Sequence, residues 1–371
     1  MARDEDIVQG VRASLPESIG ANAAEADDLE GDLGRDIAAL HEAGWLTACL
    51  PATSGGRGWG SEHAGAVPAL DALRRIGRAN LSVARLFEGH MNAVKLIAVL
   101  AAPGQREEVF TAVREGELLG VWGADDPGDA VRRDASGQAL RGAKRFASGL
   151  GLVQQAVVTV TDDRREGQGT RLAILRVTDA ARMDAKPWQM AGMQATRSGR
   201  YDFTGVSITS DDWLGEPDAY YREPHFEGGI WRYCAAHLGA AEALFAHYRD
   251  GLVRSSRAED PHQQRRIAEC AIALESTRLW LVRAAQAVEA DGASSNTATL
   301  SLLAREATAD NCRLVIERVE AGLGMAAFAQ GTPIERIARD LRVFLCQANP
   351  DGKRVKAAAA LIDGKFLPAD L

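Results

Sequence analysis

The run Val157-Val-Thr-Val-Thr161, followed by Leu172-Ala-Ile-Leu-Arg-Val177, decides how the chain divides. Both runs are short and rich in β-branched residues, with a turn-forming stretch from Asp162 to Gly169 between them. That is the pattern of strands, not of helix. A third run, Tyr201-Asp-Phe-Thr-Gly-Val-Ser-Ile208, alternates with period two, and further turn residues stand at Asp134–Gly137 and Ser198-Gly199. Residues 118–219 therefore read as an antiparallel all-β domain of short strands.

On both sides of this block the period changes to that of helix. Residues 1–117 are alanine-rich: Ile37, Leu40 and Ala43 close one helix, with Gly44 as its stop. The loop Leu50-Pro-Ala-Thr-Ser-Gly-Gly-Arg-Gly58-Trp-Gly60 follows, and helical periodicity then runs from Pro68 to Ala101. Residues 220–371 carry two long amphipathic stripes, Pro261–Ala290 and Asn296–Val319. Thr332-Pro-Ile-Glu335 has the spacing of a capping box and starts another helix. Long helices with short connections predict an antiparallel bundle, so the chain reads as a multi-domain α+β protein.

Composition narrows the function classes. The 371 residues are 46% apolar and 25% charged, with 43 Lys+Arg against 51 Asp+Glu and a net charge of −8. These are the proportions of a folded globular protein, and the acidic balance argues against sequence-independent nucleic-acid binding. No apolar run reaches the length of a membrane span, and the acidic start Met1-Ala-Arg-Asp-Glu-Asp6 lacks the features of a targeting segment. Five scattered cysteines with no CxxC, and seven histidines with no HExxH, predict neither a metal site nor a disulfide framework. A cytoplasmic protein is the expectation.

Five segments, in order, resemble the acyl-CoA dehydrogenase superfamily of flavoproteins. They are Leu50-Pro-…-Gly55-Gly-Arg-Gly58; Trp122-Gly-Ala-Asp-Asp-Pro127; Gly142-Ala-Lys144-Arg-Phe146-Ala-Ser148-Gly149; Trp188-Gln-Met-Ala-Gly192-Met-…-Arg197-Ser198-…-Phe203; and Gly322-Leu-Gly324 with Arg339-Asp340. The resemblance implies an N-terminal helical domain, a central antiparallel β-barrel and a C-terminal four-helix bundle. It also implies FAD lying extended between barrel and bundle, and a homodimer or homotetramer. On that basis Trp122 and Phe146 flank the flavin ring, and the backbone of Ala124, Asp125 and Ser148 meets its polar edge. Arg257, Gly322 and Gly324 would hold the diphosphate. Without the resemblance, Trp122 and Phe146 read equally as packing residues, and the two glycines as a helix stop.

The function implied is α,β-dehydrogenation of an acyl thioester, with acyl-CoA or another acyl compound as substrate. Hydride would pass to flavin N5, and an electron-transferring flavoprotein would be one candidate acceptor. The sequence departs from the family at the carboxylate base expected shortly after Arg339-Asp340, where Gln347-Ala348-Asn349 stands and Asp351 reads as a turn residue. The serine of the family's Gly-Ser-Asp is also missing after Pro127, and no Phe-Gly follows Arg257. Glu227, ahead of the first long bundle helix, is then the candidate base, or else an exposed glutamate favoured by the helix dipole. His90 is the candidate imidazole acid/base, or else a hydrogen-bonded helix residue. Phe146-Ala-Ser148-Gly149 and the missing glutamate also resemble the flavin monooxygenases of the same superfamily. A binding subunit that has lost catalysis is the third reading.

Overall fold

The computed structural model describes residues 14–27, 31–162, 169–347 and 349–365. The acidic start, most of the Asp162–Gly169 turn, and Ala348 lie outside the described residues.

The N-terminal layer comprises α1 (Leu15–Asn22), α2 (Gly34–Glu42), α3 (Trp45–Ala48), α4 (Ala66–Ala79), α5 (Leu81–Leu100) and α6 (Pro103–Arg114). Gly44 follows α2 with φ +73°, as its role as a stop requires. The periodic stretch expected from Pro68 to Ala101 is two helices, not one. Asn80 is extended at the junction, and its side chain accepts from the N–H groups of Ser82 and Val83, capping α5.

The middle layer holds β1 (Leu118–Trp122), β2 (Arg132–Arg133), β3 (Leu140–Arg141), β4 (Ala143–Ala147), β5 (Val153–Asp162), β6 (Gly169–Arg176), β7 (Met183–Asp184), β8 (Gly199–Asp202) and β9 (Trp213–Leu214). β5 and β6 pair antiparallel from Gln155–Arg176 to Asp162–Gly169, as the two β-branched runs predict. The expected closed antiparallel barrel is not what forms. A six-stranded sheet and a separate three-stranded sheet, β4-β8-β7, stand side by side. Within the larger sheet β1 and β2 lie parallel to β5. The run from Tyr201 to Ile208 is also cut short: β8 stops at Asp202, and the chain turns through Gly205 at φ +78°.

The C-terminal layer comprises α7 (Trp231–Arg254), α8 (Pro261–Val288), α9 (Thr297–Leu323), α10 (Pro333–Leu345) and α11 (Pro350–Ile362). Thr332 caps α10 by accepting from Glu335 N–H. The α7, α8 and α9 helices pack on one another, α10 lies on α7, and α11 on α9. The two helical layers are joined by α4 against α7. A methyl group built on Gly239 would stand 2.0 Å from Arg74 O, and one on Gly77 would stand 2.3 Å from Ala236 O. Glycine on both sides is what lets these backbones approach so closely.

Candidate active site

The site starts where β1 ends. Trp122 is buried, packs 5.5 Å from the Tyr201 ring, and donates its indole N–H to Ser148 O at 3.2 Å. Its flat face is therefore used inside the protein, and its contribution is to fix the Ser148 carbonyl. Immediately after it Gly123 and Ala124 come to the surface.

Phe146 behaves differently. The β4–β8 register slips between Lys144 and Ala147, and Phe146 takes φ +55° in that bulge. A bulge re-aims its side chain, and here it turns the ring outward, 44% exposed, with its face 4.7 Å from the Arg145 guanidinium. Trp188 stands edge-on at 6.2 Å. Met193 and Arg197, also non-glycine residues with positive φ, lie on the facing segment, which binds back through Gly149 N–H to Thr196 O at 2.8 Å. The Thr196 and Ser198 hydroxyls are 2.9 Å apart, and Ser198 donates to Ser148 at 3.1 Å. Three strained non-glycine residues around one hydroxyl chain cost energy that the surroundings must over-determine, a common mark of a binding site.

Two clamps hold this arrangement. The Asp340 carboxylate on α10 accepts Met193 N–H at 2.6 Å, so the Arg-Asp and Gly-Met segments of the sequence meet directly. On the other side Asp125 takes the Lys144 ammonium at 2.5 Å and Val131 N–H at 3.0 Å. Lys144 is fully buried; burial pushes its pKa down, and Asp125 opposes this. The Asp125 side chain is thus engaged as the counter-ion of Lys144, and only its backbone is left for the expected role.

Facing the loop is a wall that the sequence reading missed. Tyr220, Tyr221 and Phe226 form a ring cluster with centroids 4.7–5.4 Å apart, and Tyr220 Oη lies 3.9 Å from where a methyl group on Gly123 would be. From α5, Arg85 pairs with Glu88, and the Arg85 guanidinium lies 6.0 Å from the Phe344 ring. Glu88 is 1% exposed, and burial raises its pKa, with Arg85 opposing. Its second oxygen accepts from Asn92, which in turn accepts from Arg232 at 3.1 Å. Arg232 and Lys95 share Glu289, at 2.5 and 2.8 Å. The available signal was the set of polar residues Arg85, Glu88, Asn92 and Lys95, three or four apart along α5.

Other expected residues fall elsewhere. His90 is fully buried; Nδ1 accepts Leu119 N–H at 3.1 Å and Nε2 donates to Leu46 O at 3.1 Å. Both nitrogens are occupied by backbone and burial lowers its pKa to about 4, which fits the hydrogen-bonded helix residue of the two expected readings. Glu227 is buried rather than exposed, and is tied to Lys353 at 2.8 Å and Lys356 at 3.4 Å. Those two cations engage both of its oxygens, so neither is left without a partner. Asp351 is an exposed residue in the first turn of α11.

Arg257 and Gly322 do meet, guanidinium to carbonyl at 3.1 Å, but beyond the far end of α7. At 1.5 Å per residue the two ends of that helix are about 35 Å apart. Within one chain Arg257, Gly322 and Gly324 are therefore not gathered with Phe146 and Ser148. Gly322 is there for Tyr248, whose hydroxyl would lie 2.3 Å from an added methyl group, and Gly324 ends α9 at φ +62°. Among the described residues no group of three or more His, Cys, Asp or Glu is placed to hold a metal. No helix among them is long and apolar enough to cross a membrane.

Family models for the acyl-CoA dehydrogenase N-terminal domain and C-terminal domain match residues 2–117 and 229–346. The chain belongs to the acyl-CoA dehydrogenase superfamily. It is 28% identical over 232 residues to the dibenzothiophene monooxygenase of Rhodococcus erythropolis, covering 59% of this chain and 54% of that protein. The chain thus spans about half the length of this curated relative. It is 25% identical to the probable FMNH2-dependent monooxygenase SfnC of Pseudomonas putida, covering 78% of this chain and 75% of that one. The FMN-bound TdsC of Paenibacillus sp. A11-2 shares the fold with a TM-score of 0.79, at 21% identity and coverage of 95% and 96%.

Proposed function

We propose that this protein is a flavin-dependent monooxygenase that uses reduced FMN delivered by a separate reductase, in place of thioester dehydrogenation with FAD. The observation that carries the reading is the fate of the carboxylates. A dehydrogenase needs a free carboxylate at the substrate α-carbon. Here α10 continues after Asp340 with Leu341-Arg-Val-Phe-Leu345, and Glu227 is locked between two lysines. The monooxygenase relatives support the same choice. An acyl-CoA substrate and an electron-transferring flavoprotein have no comparable support.

The loop geometry fits a flavin ring. An outward aromatic face at Phe146, exposed backbone at Gly123 and Ala124, and the Thr196–Ser198–Ser148 hydroxyl chain lie on neighbouring segments, Arg145 N–H bonding Ala124 O at 2.9 Å. Reduced flavin bound there would supply the two electrons with which one oxygen atom of O2 enters the substrate and the other leaves as water. The chain's own residues supply placement. Phe146 covers one face, Ser148 presents its hydroxyl and a carbonyl fixed by Trp122, and Asp340 keeps the Met193–Ser198 segment closed. The Tyr220–Phe226 ring cluster lines the opposite side and excludes water.

The test is titration of the purified full chain with FMN and FAD, followed by anaerobic mixing with reduced FMN and then oxygen. Tighter binding of FMN, and incorporation of label from 18O2 into an acceptor such as dibenzothiophene or benzenesulfinate, support the reading. Bleaching of bound flavin by an acyl-CoA without oxygen would overturn it.

A further inference from the structure

A polar cavity of about 380 Å3 lies where the N-terminal helices meet the C-terminal ones. Ser61 and Lys95 reach it from the N-terminal layer, and Glu223, Pro224 and His225 from the segment ahead of the ring cluster. Arg232 and the end of α8, residues 288–293, close it from the C-terminal layer. None of these residues belongs to the proposed flavin loop, and nothing about the cavity depends on a flavin.

Two cations on its wall share one carboxylate. The Glu289 side chain is fully buried; Oε1 takes Arg232 at 2.5 Å and Oε2 takes Lys95 at 2.8 Å. The other nearby carboxylates are engaged elsewhere or lie in water. Glu223 accepts from the N–H groups of Glu227 and Gly228, and these two glutamates are matched by Lys353 and Lys356. Glu88 is matched by Arg85, and Asp291 is exposed at the rim. One positive charge is therefore left over in the wall, and burial makes an unbalanced charge costly. Lys95 has three N–H groups and gives two of them, to Glu289 and to Ser61 O at 2.9 Å. Its side chain is 17% exposed, which leaves the third N–H for whatever fills the cavity. Arg232 Nε and His225 Nδ1 are buried with no hydrogen-bond partner among the described residues, an uncommon state for buried polar atoms. Burial lowers the His225 pKa, Lys95 and Arg232 lower it further, and Glu289 opposes them. The imidazole is thus neutral near pH 7, and the charge left over is that of the two cations.

We propose that this cavity is a binding site for a small aliphatic carboxylate, anchored on Lys95 beside His225. A carboxylate carries the single negative charge that the wall lacks, and it accepts the remaining Lys95 N–H as a charge-assisted hydrogen bond. Pro224, Val288, Ala290 and Ala293 offer an apolar surface to a short chain. Inorganic phosphate brings no apolar part to that surface. Lys95 belongs to the N-terminal layer, His225 to the segment ahead of the ring cluster and Arg232 to the C-terminal layer. An occupant therefore ties the three together, and a ligand bound only by the folded chain raises its stability.

The experiment is calorimetric titration of the full chain with butyrate, with its neutral analogue butyramide and with inorganic phosphate, and a thermal melt with each. Butyrate is expected to bind at least about tenfold tighter than butyramide, the scale of one charge-assisted hydrogen bond. It should also raise the melting temperature progressively with its concentration. K95Q leaves Arg232 and Glu289 matched one to one, so the fold should persist while the preference for butyrate is lost. K95R keeps the charge and should retain part of the preference; the melt of each variant separates loss of fold from loss of the anchor. No binding of butyrate, equal affinity for butyrate and butyramide, or a preference that survives K95Q would each overturn the assignment. Phosphate bound as tightly as butyrate would overturn the aliphatic ligand, and displacement of butyrate by FMN would overturn a site separate from the flavin loop.

Discussion

Asp340 on α10 accepts the backbone N–H of Met193 at 2.6 Å, across 147 positions of chain. One carboxylate thereby pins the strained Met193–Ser198 segment to the C-terminal helices. Burial raises its pKa from 3.8 to about 6, against the Met193 hydrogen bond and Arg339, which lower it. The native state therefore holds a proton that the unfolded chain has released, and ionising the group costs stability as pH rises from 3.8 to about 6. D340N keeps an acceptor without the charge. Its stability relative to wild type should increase with pH across that window by up to roughly 3 kcal/mol, read from urea denaturation at several pH values. A stability difference independent of pH would contradict this.

His90 pulls the other way. Its pKa is lowered from 6.5 to about 4 by burial, so the stabilisation is complete above 6.5 and is lost as pH falls through the window down to about 4. At pH 6 a 15N spectrum should show a neutral ring with the proton on Nε2. H90A should lose about 2–4 kcal/mol, because Leu119 N–H and Leu46 O are left unpaired in the core.

Gly322 should not tolerate even alanine. The added methyl would lie 2.3 Å from the hydroxyl and 2.6 Å from the ring carbons of the fully buried Tyr248. Overpacking of this kind costs about 1–3 kcal/mol. Calorimetric melting of G322A checks it, and flavin affinity measured on the same variant should be unchanged.

Glu227 and Lys353 form a buried pair, so removing one partner should cost more than removing both. K353M is expected to destabilise by about 3 kcal/mol, softened by Lys356, and E227Q combined with K353M should recover much of that. E227Q alone should keep most of the turnover. A loss of several hundredfold would restore Glu227 as a base.

Phe146 offers a test of the proposed flavin loop. F146G removes the outward ring from a φ of +55° that glycine accepts without strain. FMN affinity should fall, while the melting temperature stays level or rises slightly.

The helical layers and their stops were readable because each depends on neighbours in sequence: Gly44 after α2, Thr332 and Glu335 around the start of α10. The same local logic was available at Asn80, a capping residue inside an otherwise continuous periodic stretch. Strand partners are another matter. Nothing near Leu118 says that β1 will lie parallel to β5, and alternation from Tyr201 onward does not reveal that β8 ends after two of its residues. In the proposed site, Phe146 and Ser148 were expected from the resemblance. The Tyr220 ring cluster was not, because only the folded chain places it beside Gly123. For His90 the sequence left two readings, and the contacts of both its nitrogens with main chain fit the hydrogen-bonded helix residue.

The parallel pairing of β1 with β5 also bears on how the molecule assembles during synthesis. Leu118 leaves the ribosome some 35 residues ahead of its partner Val153, so the first strand has no sheet to join when it appears. The helix already made, α5, packs against it, and the His90 ring takes Leu119 N–H. The main chain of the strand thus has a hydrogen-bond partner on α5, made earlier in the chain, that does not depend on the β5–β6 hairpin.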